Sequence, residues 1–208
     1  MTANQLDIST SPRRTLLSMK RAVIGIALLL AVAASAAGQS VSRHYFNQNY
    51  NFCIDYPSQW QHNVPFDGNA VALVPPGQNL SYPYPEIIVG GRVNQPSEQD
   101  ESRGQTLEEI FASELAAIKE YGSFSEIKVI EKRWSGLAGY PALVSDFEYM
   151  KDKQHWHEHQ VFILTRSEAV FSISSTYHPN QTQQFMPVFQ NIVRSFRIRC
   201  NPNLTERP

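Results

Sequence analysis

The sequence lacks most of the motifs by which enzymes are recognised. It contains no glycine-rich loop of the kind that cradles nucleotide phosphates. Segment 135–139 lacks the glycine-flanked serine of a hydrolase elbow, and the histidine-rich segment 155–159 does not follow the helical HExxH spacing of metalloproteases. These absences argue against nucleotide-dependent enzymes and both hydrolase classes, and they favour a protein without catalytic activity.

The sequence also lacks a strong excess of either charge. Its 18 basic and 19 acidic residues give a formal net charge of −1. Without the first 37 residues, which are interpreted below as a leader, 14 basic and 18 acidic residues remain, for a formal charge of −4. Such a mildly acidic surface argues against nucleic acid or an anionic membrane as the main partner.

One apolar run decides the expected compartment. The cations Lys20 and Arg21 precede the run Ala22–Ala33, and four small residues follow it. This order is typical of a secretory signal peptide, and the run is shorter than the ~20 residues that a membrane-spanning helix needs. We therefore expect residues 1–37 to be a signal peptide cleaved after Ala36 or Ala37.

Two features of this leader have alternatives: the residue at which translation starts and the route of export. Met19 directly precedes the two cations and is the expected start of translation. Arg13 and Arg14 form a twin arginine, so the twin-arginine route stands beside general secretion. No cysteine follows the apolar run, which excludes a lipid anchor at that point. The sequence thus predicts a periplasmic or secreted protein, without a stable membrane anchor after cleavage, whose residues 38–208 form a single domain.

Cysteine is scarce, and its placement is informative. Cys53 and Cys200 lie near the two ends of the expected domain. In an oxidising compartment such a pair predicts a disulfide, and two buried free thiols are the alternative. In the chain-entropy model, a bridge across so long a loop would stabilise the fold by about 4 to 5 kcal/mol.

Hydrophobic periodicity predicts two helices among several strands. A capping box at Thr106 and Glu109 begins the first helix, which Gly122 ends, and an apolar stripe predicts a second helix over 184–196. The predicted strands are 45–56, 71–74, 86–91, 127–134, 140–150, 156–164 and 169–177. This order favours the α+β class, with a mostly antiparallel sheet packed against helices.

The most unusual local feature is a strand that carries three histidines. Strand geometry places His155, His157 and His159 on one face and Trp156 and Glu158 on the other. A hairpin loop over 151–154 would place Glu148 opposite His157 and Asp146 opposite His159, and a loop over 165–168 would place Ser174 beside His159 and Thr176 beside His157. The opposite face would then collect the apolar side chains Leu143, Phe147, Tyr149, Trp156, Phe162, Phe171, Ile173 and Tyr177.

This polar face suggests a metal site. Neighbouring histidines on one strand face are ~6.6 Å apart at Cα, so His157 and His159 can converge on one ion together with Asp146 or Glu148. Imidazole and carboxylate ligands suit zinc or copper. The alternative is a solvated face of histidine and acid pairs that binds no cofactor.

Three segments resemble the PsbP-like superfamily. Residues 50–60 are similar to its aromatic opening strand, which ends in Tyr-Pro with a tryptophan three residues later. Residues 139–142 resemble the Gly and Pro-Ala entry to its central strands, and the final helix is matched by Phe189, Ile192, Ser195 and Phe196. The resemblance covers residues 45–198.

The resemblance implies an α-β-α sandwich around a central antiparallel sheet, used without chemistry as a binding or assembly module. We therefore expect an unidentified protein or small-molecule partner in the cell envelope. Asn51 stands where a glycine is common in the superfamily. The superfamily includes a subunit of the oxygen-evolving complex of photosystem II. No functional residue of that subunit can be matched in this sequence, so a role in oxygen evolution is not implied.

Overall fold

The computed structural model describes residues 41–64, 68–78, 85–99, 101, 103–120, 124–166 and 168–200. The predicted leader, with its two alternative features at Met19 and the twin arginine, lies outside the described residues, and so does Gly122. The elements are β1 (Ser42–Asn47), β2 (Phe52–Pro57), β3 (Gln61–Asn63), β4 (Ala70–Val74), β5 (Glu86–Val93), α1 (Leu107–Glu120), β6 (Phe124–Leu137), β7 (Tyr140–Lys151), β8 (Gln154–Leu164), β9 (Ala169–Tyr177), a 3₁₀ turn (Pro179–Gln181), α2 (Thr182–Ser195) and β10 (Arg197–Ile198).

Seven strands form the central sheet, in the order β3-β4-β5-β9-β8-β7-β6. All neighbouring pairs in it are antiparallel. A second sheet has the order β1-β2-β10 and is also antiparallel. The four long strands β6 to β9 therefore carry most of the central sheet, and their two faces need separate cover.

The helix α1 covers one face of the central sheet. Its N-terminus has the predicted capping box: the Thr106 backbone N–H donates to Glu109 Oε2 at 2.7 Å, and the Glu109 backbone N–H donates to Thr106 Oγ1 at 3.2 Å. The buried residues of α1 pack with side chains of β7, β8 and β9 in one apolar cluster, which contains Leu107, Ile110, Phe111, Leu143, Phe147, Tyr149, Trp156, Phe162 and Val170.

The helix α2 and the small sheet cover the other face. Phe185, Phe189 and Ile192 of α2 are buried in a larger cluster with residues of β2 and β9. Trp60 and Phe196, at 3% and 0% exposure, belong to the same cluster. The result is an α-β-α sandwich, which confirms the predicted α+β class.

Covalent and membrane features complete the description. The predicted bridge between Cys53 and Cys200 is present, with Cα atoms 6.1 Å apart, and it ties β2 to the residues after β10. In the part of the chain that the structure describes, no helix combines the length and apolarity needed to cross a bilayer.

One expectation about secondary structure was wrong, and one predicted helix has a different first residue. The predicted strand 45–56 is a hairpin of β1 and β2, because the chain turns between Asn47 and Phe52 with Asn51 at a φ of 51°. The predicted second helix is present, but it begins at Thr182 rather than 184, which places Pro187 in its second turn. Pro187 is exposed there, where its missing N–H does not leave a buried carbonyl unpaired on the core side.

Candidate functional site

The predicted pairing of β7 with β8 is confirmed. Asp146 lies opposite His159, and Glu148 lies opposite His157. The turn between the two strands has Asp152 and Lys153 at positive φ, as a two-residue hairpin loop requires. The acids of β7 and the histidines of β8 therefore share one face of the sheet.

The predicted pairing of β9 was wrong by one residue. Ser175 rather than Ser174 lies opposite His159, and Tyr177 rather than Thr176 lies opposite His157. The turn between β8 and β9 is tighter than the expected loop over 165–168. The Thr165 N–H donates to the Ala169 carbonyl at 3.0 Å, and Glu168 has a φ of 60°. A shift of one residue moves every side chain of β9 to the other face.

This shift changes the character of the histidine face. Phe171, Ile173 and Tyr177, which were expected on the opposite face, lie on the histidine face and are fully buried beneath α2. His157 and His159 are consequently not on a freely solvated surface, whereas His155 is exposed. The side chains of His157 and His159 are only 16% and 13% exposed.

Asp146 joins the two histidines into one cluster. Its Oδ1 lies 3.3 Å from His157 Nε2 and also contacts His159 Nδ1. The two imidazole rings are stacked with their centroids 4.4 Å apart. Ligand-type atoms of the three residues all lie within 4.8 Å of one another, which makes Asp146, His157 and His159 a candidate metal centre.

Two further groups hold the outer nitrogens of these histidines. His159 Nε2 is 2.5 Å from the Tyr177 hydroxyl, and His157 Nδ1 is 3.6 Å from Glu148 Oε1. Glu148 Oε2 is also 3.4 Å from His155 Nε2. Glu148, a predicted ligand, is thus placed on the far side of the His157 ring from Asp146, where it can orient the imidazole.

The cluster changes the ionisation of its members. Burial opposes the charge on Asp146, but hydrogen bonds from His157 and His159 outweigh it and hold the pKa of Asp146 at about 2. Burial raises the pKa of Tyr177 to about 12, and the charge of Asp146 adds to this effect. Asp146 is therefore an anion and Tyr177 a neutral hydroxyl throughout the physiological range.

The cluster lies at one end of a groove between α2 and strands β6 to β8. We call this the histidine groove; its volume is about 290 Å³. Its walls are largely apolar and include Val161, Met186, Phe189 and Val193. The charged side chains Glu131, Arg133 and Arg194 also line it. It combines apolar walls with a few fixed polar groups, as ligand sites commonly do.

A second cavity lies on the opposite face of the sheet, beneath α1. We call it the acidic pocket; its volume is about 320 Å³. Glutamates from three elements line it: Glu86 of β5, Glu114 of α1 and Glu158 of β8. Burial raises the pKa of both Glu86 and Glu158 to about 7. Glu114 is an exposed residue; loss of water around its carboxyl raises its pKa, and the charge of Arg92 opposes this rise.

Sequence reasoning found the histidine cluster and missed the acidic pocket. Local spacing was enough for Asp146, His157 and His159, because consecutive strands of one hairpin carry them. Glu86 and Glu158 are 72 positions apart in the sequence, and only the pairing of both strands with β9 brings them together. Glu158 was expected on the apolar face of its strand, and its charge on that face was the one available signal of a polar cavity there.

The comparisons with known proteins support the fold. No protein-family model and no curated protein sequence matches the chain. The structure is similar to cyanobacterial PsbP from Synechocystis sp. PCC 6803, with a TM-score of 0.54 over 78% of this chain and 95% of that one, at 12% identity. This likeness shows that the chain has a PsbP-like fold.

Two further solved structures are more distant. The protein of unknown function PA94 from Pseudomonas aeruginosa, described as a putative regulator, has a TM-score of 0.43 at 17% identity over 80% of this chain and 98% of that one. LpqN, involved in cell envelope biogenesis of Mycobacterium tuberculosis, has a TM-score of 0.48 at 11% identity over 78% of this chain and 86% of that one.

Proposed function

We propose that this chain is an exported binding or accessory protein without catalytic activity of its own, and that it holds its partner in the histidine groove. The leader-like segment 1–37 and the Cys53–Cys200 bridge support a periplasmic or secreted location. The PsbP-like fold fits a module that binds rather than reacts. The partner is a protein or small molecule of the cell envelope.

One observation carries this proposal: a fixed polar cluster ends a groove whose walls are mostly apolar. Asp146, His157 and His159 hold one another in place, and Tyr177 fixes the His159 ring from the other side. Preformed polar groups in an apolar groove lower the entropic cost of binding and set the orientation of a ligand.

A photocrosslinking pair tests the groove. A photoreactive amino acid is placed either at Gln190, an exposed residue of α2 that lines the groove, or at Gln183, an exposed residue of the same helix that does not line it. After irradiation of cells that export the protein, we expect a discrete crosslinked species from position 190 and none from position 183. Equal crosslinking at both positions, or none at either, would contradict the groove as the binding site.

A second candidate function is the binding of zinc or copper. The observation that favours it is the convergence of a carboxylate and two imidazoles within 4.8 Å. The outer nitrogen of each histidine already has a protein partner, Tyr177 for His159 and Glu148 for His157. Such outer partners fix ring orientation in known metal sites, so these residues fit a metal ion, with Asp146, His157 and His159 as its ligands.

Metal titration tests this second function. Purified protein is titrated with Zn²⁺ and with Cu²⁺, and uptake is followed by calorimetry and native mass spectrometry. We expect one ion per chain, and a loss of affinity of at least about 100-fold in the variants His157→Asn and His159→Asn. His44→Asn is the matched control, because His44 also pairs with a carboxylate, Asp55 at 2.8 Å, on an exposed surface.

The contrary results of this titration are equally specific. Wild-type protein that takes up no stoichiometric ion would exclude the metal function and leave the groove proposal standing. Uptake that persists unchanged in the double variant of His157 and His159 would place the ion elsewhere.

A further inference from the structure

The acidic pocket differs from the histidine groove because its carboxylates are not paired with basic side chains. Glu86, Glu114 and Glu158 line it, and among the ion pairs of the described residues none involves these three glutamates. The cations that line the pocket are Arg92, which is exposed, and Lys151, whose ammonium lies 4.8 Å from the centre of the Phe124 ring.

Strand pairing sets the spacing of two of these acids. Glu86 and Glu158 both lie opposite Thr176, on either side of it. Their Cα atoms are therefore two strand spacings apart, about 10 Å. Among the described residues, Asp146, His157 and His159 are the one group of three with ligand atoms close enough for a metal, so the three glutamates do not enclose one ion.

Two buried polar atoms that belong to residues lining the same pocket lack a protein partner. They are the indole Nε1 of Trp156 and the amide Oε1 of Gln160, in residues that are 2% and 3% exposed. The Gln160 amide is oriented, because its Nε2 donates to Glu158 Oε1 at 2.6 Å. A buried donor and a buried acceptor without partners each cost free energy that a bound molecule can recover.

The lining defines the chemistry of such a molecule. The unpartnered indole N–H needs an oxygen acceptor, and the Gln160 carbonyl needs an O–H or N–H donor. The hydroxyls of Ser172, Ser174 and Thr176 add further polar contacts. The aromatic residues Phe124, Tyr149, Trp156 and Phe162 also line the pocket and offer faces for C–H groups or for a cation.

The excess of carboxylates selects the charge of the ligand. Among the ion pairs of the described residues none involves Glu86, and burial raises its pKa to about 7. A ligand cation placed between the glutamates would stabilise the charged form of Glu86. The volume of about 320 Å³ is at the small end of the range for small-molecule sites.

We propose that the acidic pocket binds a small amine that also carries hydroxyl groups, the chemistry of an amino sugar or an amino alcohol. Its ammonium group lies among Glu86, Glu114 and Glu158. Its hydroxyl oxygens accept from Trp156 Nε1 and donate to Gln160 Oε1. The site is separate from the histidine groove, since it is on the other face of the sheet.

Titration calorimetry with chosen probes tests this proposal at pH 7, where the amine of D-glucosamine is mostly protonated, and at about 0.15 M salt, where weak surface attraction is screened. The probes are D-glucosamine, D-glucose, which lacks the amine, and 1,4-diaminobutane, which lacks the hydroxyls. We expect one glucosamine per chain, bound at least about tenfold more tightly than either of the other two.

Variants place the binding. Glu86→Gln and Glu158→Gln each keep side-chain shape and remove a charge, and each should weaken glucosamine binding by about tenfold or more. Glu120→Gln, an exposed position on the same helix as Glu114 that does not line the pocket, is the matched control. Thermal melting confirms that each variant is folded.

Several results would overturn the proposal. They are the absence of glucosamine binding at millimolar concentration, equal affinity for glucose or diaminobutane, and unchanged binding in both Glu86→Gln and Glu158→Gln. A loss of binding in Glu120→Gln equal to that in the pocket variants would show non-specific attraction and would also overturn it.

Discussion

The two faces of the central sheet bury their polar groups in different ways. On the face beneath α2, Asp146 is bonded to two histidines, and one of them is bonded to Tyr177. On the face beneath α1, three buried side-chain atoms have no protein partner: Trp156 Nε1, Gln160 Oε1 and Ser145 Oγ. On the α2 face of the described sheet, Ser175 Oγ also has none.

This difference indicates that the two faces of the sheet have different roles. The α2 face contains the larger aromatic core, and the disulfide ties down the small sheet that covers it. The α1 face contains the smaller cluster and the pocket whose glutamates form no ion pair among the described residues. We therefore expect stability to come mainly from the α2 side and a cost in stability to reside on the α1 side, as is common where a site is kept ready for a ligand.

The largest expected effect is that of the disulfide on the α2 side. Reduction of the bridge releases a loop closed over 147 positions, which in the chain-entropy model costs about 4 to 5 kcal/mol of unfolding free energy. Denaturant unfolding with and without reductant measures it, and the variant Cys53→Ala/Cys200→Ala without reductant is the control. Equal unfolding midpoints in all three samples would show that the bridge does not stabilise the α2 side.

The next effect compares core residues of the two faces. Phe196→Ala removes a fully buried ring from the α2 cluster and should cost about 3 to 5 kcal/mol. Phe162→Ala removes a ring that also lines the acidic pocket, so part of its volume already adjoins open space. We expect it to cost about 1 to 2 kcal/mol less. A larger loss for Phe162→Ala would reverse the proposed ranking of the two faces.

Neutralising the paired carboxylate should destabilise the protein. Asp146→Asn removes the charge that accepts hydrogen bonds from His157 and His159 in a mostly buried cluster. Charge-assisted hydrogen bonds of this kind contribute about 1.5 to 3 kcal/mol, and we expect a loss in that range. Asp55→Asn, in the exposed pair with His44, is the control and should change the unfolding free energy by less than about 1 kcal/mol.

Neutralising an unpaired carboxylate should do the reverse, with a smaller effect. The pKa of Glu86 is about 7 in the folded protein because burial disfavours its charge, against 4.5 as its ordinary value. The folded state therefore binds more protons than the unfolded state between these values, and stability falls as the pH rises from about 4.5 through 7. Glu86→Gln should remove the part of this fall that Glu86 contributes, about 1 to 2 kcal/mol after allowance for partial exposure, and should leave the part due to Glu158, whose pKa is also about 7.

Sequence reasoning reached the fold and part of the candidate site because their signals are local. The capping box at Thr106 and Glu109, the apolar stripes of the helices, and the β7–β8 register all follow from residues close together in the chain. The predicted register of β9 was wrong because Glu168 adopts a positive φ in the turn before this strand, and the sequence has no glycine in that turn to indicate it. The β1–β2 hairpin had a usable signal in the alternating asparagines 47, 49 and 51.

The acidic pocket could not be predicted for a different reason. Its members come from β5, α1, β6, β7, β8 and β9, and no spacing in the sequence relates them. Glu86 and Glu158 are aligned because both pair with Thr176 of β9. The predicted register, which was wrong by one residue, had placed Thr176 on the other face of the sheet. A correct β9 register would have placed three hydroxyl residues beside Glu158 and indicated a polar cavity there.

The contrast between paired and unpaired carboxylates is tested most directly by measuring the unfolding free energies of Asp146→Asn and Glu86→Gln beside the wild type at pH 8. We predict opposite signs: a lower value for the variant at position 146 and a higher value for the variant at position 86. A decrease in both would show that the glutamate is stabilised by its surroundings after all. An increase in both would show that the aspartate and its histidines do not support the fold.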